Sequence, residues 1–174
     1  MRDAIVVYKK VLVALGATTC RESVAEALTI TADQDVQLRF VHVIDVMISG
    51  AEGFNIEPVY AARQREGKAI LEAAFAQARE ANVTPEGALI DGEGRRVSIV
   101  LLQEILRWGA DLLVIGGRAR RNLLARLLFD DVCDAIISSA PVPILLAARP
   151  GANGLSRKKS TALSGAKGAP DPKP

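Results

Sequence analysis

The sequence predicts a doubly wound α/β domain, in which a five-stranded, mostly parallel sheet carries helices on both faces. Three observations predict it. Short aliphatic runs, VLVAL at 11–15 and DLLVIG at 111–116, read as strands buried on both faces, as parallel strands are. Helical periodicity fills the intervals between such runs. Strand and helix alternate along the chain, an order that needs parallel strands joined by right-handed crossovers.

The first strand, 11–15, ends in Gly16, a turn residue. A helix follows, with Thr18 or Thr19 as its cap and Val24, Ala27, Leu28 and Thr31 on one face. Asp33 and Asp35 break that pattern before VQLRFVHVIDV, 36–46, which alternates and then runs apolar as a second strand. Residues 47–57 have two glycines and no period, a connection longer than the usual few residues and a candidate partner-binding loop. A long amphipathic helix is expected over 58–81, with Ile70, Ala73, Ala74 and Gln77 at helical intervals and Asn82 as its stop. Pro85 and Gly87 make 83–90 a weaker strand near an edge, because proline removes a ladder donor. Residues 95–108 place Ile99, Leu102 and Leu106 on one helical face, with Gly109 as C-cap. After the strand at 111–116, residues 122–139 form a fourth helix with Leu124, Leu127 or Leu128, Val132, Ala135 and Ile136 on one face. Pro141 ends it, and 142–148 is the last strand.

At 174 residues the chain suits one domain, placed at 1–149, and a disordered basic tail at 150–174 rich in Gly, Ser, Pro and Lys. The formal charge of +2 is unevenly placed. The tail holds Arg157, Lys158, Lys159, Lys167 and Lys173 against Asp171 alone, which leaves the fold with a slight excess of acid. That balance argues against specific nucleic-acid binding, and aromatic residues at 4% give no base-stacking platform. No apolar stretch approaches the ~18–20 residues of a spanning helix, and MRDAIVVYKK has no secretory apolar core, so no membrane partner and a cytoplasmic location are expected. Cys20 and Cys133 sit in no CxxC and near no histidine, so they read as reduced, small buried or half-buried thiols rather than a redox pair or zinc ligands.

In a doubly wound sheet, ligands sit beyond the carboxyl ends of strands at the switch point, here the turns after Leu15 and Ile115. Four segments around those turns, KKVLVAL (9–15), FVHVIDV (40–46), GADLLVIGGRARRNLLARLLFDDVCDAI (109–136) and APVPILLA (140–147), resemble the universal stress protein family. The resemblance covers roughly 10–148. It implies a small cytoplasmic domain with the fold of adenine nucleotide alpha hydrolases, usually a homodimer. It also implies ATP as the cofactor to consider, held by a turn of pattern Gly-x2-Gly-x9-Gly-Ser/Thr after the fourth strand.

Glycines in such a turn let backbone amides approach phosphate, and the following helix presents its positive end to the anion. Laid on this sequence, the pattern falls on Gly116, Ala119, Phe129 and Asp130, with Gly117 and Arg118 between the first two. Only Gly116 matches. The Asp that the family's nucleotide binders carry at the end of the first strand is replaced by Gly16. Phe129 would fill the space where backbone meets phosphate, and Asp130 sets a like charge there, worth roughly 4 kcal/mol at about 4 Å and an effective dielectric near 20. Arg118, Arg120, Arg121 and Arg126 offset part of this, or serve as a solvated basic face or as partners for Asp130 and Asp131. Weak or absent ATP binding is the expectation.

Catalytic signals are thin. His42, the only histidine, reads as a hydrogen-bonded sheet residue rather than a general base. Asp45, Asp91 and Glu93 lie near carboxyl ends of strands and read as loop and capping carboxylates rather than metal ligands. No Walker or GxGxxG motif occurs, and Trp108 is expected to pack against the sheet. The leading reading is therefore a non-enzymatic stress-response or regulatory module, without catalytic residues or metal. It acts as a homodimer through the edge strand 142–148, where Ile144 and Leu146 would be buried, and contacts a regulatory protein partner. The alternative is an ATP-binding universal stress protein acting as a nucleotide-dependent switch. A hydrolase or transferase on the same fold lacks a nucleophile and base.

Overall fold

The computed structural model of the chain describes residues 8–16, 20–32, 35–46, 55–116, 132 and 134–147. Strands β1 (Lys10–Ala14), β2 (Gln37–Ile44), β3 (Glu86–Asp91), β4 (Leu112–Gly116) and β5 (Ile144–Ala147) alternate with helices α1 (Cys20–Thr31), α2 (Glu57–Glu80) and α3 (Val97–Trp108). A helical stretch at 134–139 precedes β5. The sheet order is β3-β2-β1-β4-β5, and every pairing is parallel, where the sequence left room for an antiparallel strand. The chain winds outward from β1 to β3, then returns beside β1 and winds the other way, so the switch point lies between β1 and β4.

Alternation along the strands divides the interior into two layers. Val11, Val13, Leu38, Phe40, Leu112 and Val114 face α1 and α2, where Val24, Ala27, Leu71, Ala74 and Ala78 cover them. Leu12, Val41, Val43, Leu113 and Ile115 face the other way, under Val100, Leu101 and Ile105 of α3 and Ile136. Phe40 packs on Phe75 at a centroid distance of 5.9 Å. β3 stands at the sheet edge, as Pro85 implied, although it begins at Glu86 rather than 83 because the proline precedes the ladder. The other bounds shift by one or two residues, as element ends do.

Two helix faces differ from the sequence reading. α2 buries Gly67, Leu71, Ala74 and Ala78; of the expected Ile70, Ala73, Ala74 and Gln77, Ala74 is buried and Ile70 packs half-buried against the core, and the face is centred about one position round because small residues let this helix lie close to the sheet. The difference in α3 is larger. Its buried residues are Ser98, Val100, Leu101, Glu104 and Ile105, while Ile99 is 44% and Leu106 69% exposed. The helix is apolar nearly all round, so periodicity selects no unique face, and the inner one is disguised by a buried carboxylate. Glu104 is held by Arg107 in a bidentate pair of 2.7 and 2.8 Å and by Arg39 of β2 at 3.1 Å, as a buried charge requires. Arg39 also meets Glu86 at 2.9 Å, and its Nε is buried without a partner. Trp108 is half-buried beside this cluster, with Lys10 Nζ and Arg39 Cζ 5.4 and 5.7 Å from its ring centre. Gly109 ends α3 at φ 72°, the left-handed C-cap its position announced. This charged cluster lies at the amino ends of the strands, opposite the switch point.

Candidate functional site

At the carboxyl ends of β1 and β4, Ala14 pairs with Ile115, which sets Gly16 and Gly116 on neighbouring strands at the switch point. Both are half-buried. Gly117, Arg118, Ala119, Phe129 and Asp130 lie outside the described residues, as do Arg120, Arg121, Arg126, most of the 47–57 connection and the tail.

The end of β1 is held from two sides. Leu15 N–H donates to Val41 O at 2.8 Å. His42, on the α2 side of β2, places Nδ1 2.8 Å from Leu15 O. Because the carbonyl can only accept, Nδ1 carries the hydrogen of this bond. Gly67 makes room for this imidazole. A Cβ there would stand 2.6 Å from Leu89 Cδ1 and 2.7 Å from His42 Cδ2. His42 is thus the hydrogen-bonded sheet residue that its lone occurrence suggested, and its bond fixes the backbone one residue before Gly16.

The three carboxylates near the strand ends have separate surroundings. Asp91 accepts from Glu93 N–H at 2.8 Å through Oδ1 and from the Tyr60 hydroxyl at 2.7 Å through Oδ2. The Glu93 amide, then the Tyr60 hydroxyl and the Arg95 charge, hold the Asp91 carboxyl below its ordinary value against a small effect of burial. The same bond raises the Tyr60 phenol. Tyr60 therefore ties the first turn of α2 to the end of β3. Glu93, at φ 50°, and Gly94, at φ 72°, make the turn that follows. Gly92 is needed there, since a Cβ would come 2.8 Å from Ile44 O. Glu93 pairs with Arg95 at 3.2 Å, and Asp45 is exposed. Among the described residues, no group of three or more His, Cys, Asp or Glu could hold a metal. The Tyr60 contact escaped the sequence reading because its partner is 31 positions away and no local pattern links them.

The described part of the site fits a nucleotide incompletely. Gly16 presents no carboxylate to an adenosine, and the Leu15 carbonyl beside it already accepts the His42 proton. Gly116 keeps the open backbone that a phosphate turn needs.

Comparison with known proteins agrees with this architecture. The universal stress protein family matches residues 7–148. "Universal stress protein A homolog 2" of Coxiella burnetii is 24% identical over 144 residues, covering 79% of this chain and 93% of that protein. The crystal structure of a universal stress family protein from Burkholderia pseudomallei is similar at a TM-score of 0.61 and 25% identity, over 80% of this chain and 97% of that one. A family protein of Arabidopsis thaliana with AMP bound shares the fold at a TM-score of 0.60 and 19% identity, over 82% and 93% of the two chains. Among the described residues, no helix is long and apolar enough to cross a membrane. With the family match spanning both layers of the sheet and the switch point, the chain belongs to the universal stress protein family.

Proposed function

We propose that this chain is a non-enzymatic regulatory member of the family, acting as a homodimer through protein contacts, with a weakened nucleotide site. The observation that carries the reading is the end of β1. Gly16 stands where the family's nucleotide binders have an acid, and the neighbouring carbonyl is engaged by His42. Phe129 and Asp130 in the sequence weaken the phosphate half further, through steric obstruction and like charge.

Support for the homodimer comes from β5. It is an edge strand, has no charged residue, and exposes half of Leu146, while Ile137 on the preceding helical stretch is 52% exposed. Such an edge is a template for pairing, and addition of a second β5 across a two-fold axis would cover it. Light scattering should give twice the 18.5 kDa chain mass at tens of micromolar, and Ile144→Asp should shift it toward monomer. A stable wild-type monomer removes the dimer from the reading.

The second reading, a nucleotide-dependent switch, is favoured by the AMP carried by the Arabidopsis relative. In it Gly116 and the arginines at 118, 120, 121 and 126 compensate for the lost groups. Calorimetry with Mg-ATP and with AMP separates the two. The first expects dissociation constants above ~100 µM, less than about 5.5 kcal/mol of binding; low-micromolar binding of either nucleotide promotes the second.

A further inference from the structure

The first turn of α3 holds donors that nothing in the described fold uses. Ser98, the second residue of the helix, is 4% exposed. Thr31, also buried, donates to Ala27 O at 2.8 Å, and Glu104 is held by arginines, but the Ser98 hydroxyl has no partner among the described residues. A serine further along a helix can give its proton to the carbonyl four residues back; four back from Ser98 is Gly94, outside the helix at φ 72°. Arg39 Nε is the one described side-chain polar atom both sealed and unpartnered, so the Ser98 hydroxyl still reaches solvent. Helical side chains tilt toward the start of their helix, which aims this hydroxyl at the end where the N–H groups of Val97 and Ser98 are free. The bonds to Arg96 O come only from Ile99 and Val100. Arg96, the N-cap, supplies no side-chain bond, and the first turn has no acid.

We propose that this end of α3 binds a phosphate group. Two backbone N–H groups and a hydroxyl face it together with the positive end of the helix, and the exposed Arg96 guanidinium is free to close on a further oxygen. A tetrahedral oxyanion has oxygens enough for all of them, whereas a carboxylate has two. The carboxylates of this end are turned elsewhere or solvated. Ile90 lies in the layer under α3, so Asp91 beside it faces the opposite way, where it accepts from Tyr60. Glu93 pairs with Arg95, and Asp45 is exposed, its charge screened by water and salt. Arg95 is engaged by Gly92 O, Gln103 and Glu93, which leaves Arg96 as the cation for a ligand. The seat follows β3, which β2 and β1 separate from β4 and Gly116, so it is distinct from the nucleotide turn and does not depend on whether that turn is occupied.

The test uses the full chain, isotope-labelled for NMR, with inorganic phosphate titrated against chloride at constant pH and ionic strength. The amide signals of Val97 and Ser98 should shift and saturate with a dissociation constant of about 1–10 mM, and chloride alone should leave them in place. Ser98→Ala should weaken binding at least about fivefold without lowering Tm in phosphate-free buffer, because an unpartnered hydroxyl holds nothing in the free fold. Arg96→Gln, at an exposed position, should weaken binding at least about threefold. Glycerol phosphate as a second probe identifies the source of the group: tighter binding than inorganic phosphate marks the terminal phosphate of an organic ligand, and equal or weaker binding marks the free ion. The proposal is overturned if the two amides do not saturate below about 50 mM phosphate, if the shifts centre on Gly116 instead, or if either variant binds as wild type does. It is also overturned if Ser98→Ala destabilises the phosphate-free protein, since the hydroxyl would then be a structural bond.

Discussion

Replacing Gly67 by alanine tests the link between α2, His42 and the end of β1. Ordinarily this change in a helix interior stabilises by about 1 kcal/mol, because glycine is the poorer helix former. Here the new Cβ would lie 2.6 Å from Leu89 Cδ1 and 2.7 Å from His42 Cδ2. The leucine can rotate away, but the imidazole is pinned by its 2.8 Å bond to Leu15 O. Overpacking of this kind typically costs about 1–3 kcal/mol, and loss of the His42 bond adds about 1 kcal/mol. The net expectation is destabilisation by about 1–3 kcal/mol, a fall in Tm of roughly 2–12 °C at about 2–4 °C per kcal/mol for a chain of this size. Thermal unfolding by circular dichroism measures the fall, and NMR of the His42 ring should show the Nδ1 proton signal shifted or lost. His42→Ala in the same background should recover about 1–2 kcal/mol, because the vacated space admits the methyl. A rise in Tm with an unchanged His42 resonance would refute the close approach and the pinning together.

Glu104→Leu should lower stability by about 2–3 kcal/mol, less than for a pair buried on both sides, because Arg107 can return to water while Arg39 keeps Glu86; urea denaturation measures it, and a change under about 0.5 kcal/mol counts against the network. Tyr60→Phe should flatten the pH profile of Tm at both ends. The lowered Asp91 carboxyl contributes stability that is present above the ordinary carboxylate range and lost as pH falls through the folded value, while the raised Tyr60 phenol contributes stability that is present below about pH 10 and lost as pH rises through the folded value. Phe129→Gly with Asp130→Ser should tighten Mg-ATP binding by calorimetry, since an open backbone and a hydroxyl donor return together; no change would assign the defect to Gly16, to be tested by Gly16→Asp.

The fold was legible because its central strands are written as uninterrupted aliphatic runs. VLVAL and the LLVIG of β4 fill the middle of the sheet, and no polar residue there blurs the reading. Gly109 and Pro85 marked a helix end and an edge strand through backbone chemistry that is local and therefore visible. The inner face of α3 was hidden because Glu104 looks solvent-seeking until Arg39, on another element, is brought beneath it. The inner face of α2 was legible only in part, at Ala74, because glycine and alanines, which carry little hydrophobic signal, allow its close approach. Within the site, Gly16 and Gly116 could be placed from strand ends alone. The His42 bond could not, since its acceptor is a backbone carbonyl on the neighbouring strand and carries no sequence signature.

The most direct test of the central claim is the adenine nucleotide content of the gently purified, undialysed protein, read by absorbance ratio and by mass spectrometry of the heat-released ligand. A weakened site with a dissociation constant above ~100 µM loses its ligand during purification, so the expected result is far less than one nucleotide per chain. Close to one AMP or ATP per chain would contradict the account and establish the nucleotide-dependent switch in its place.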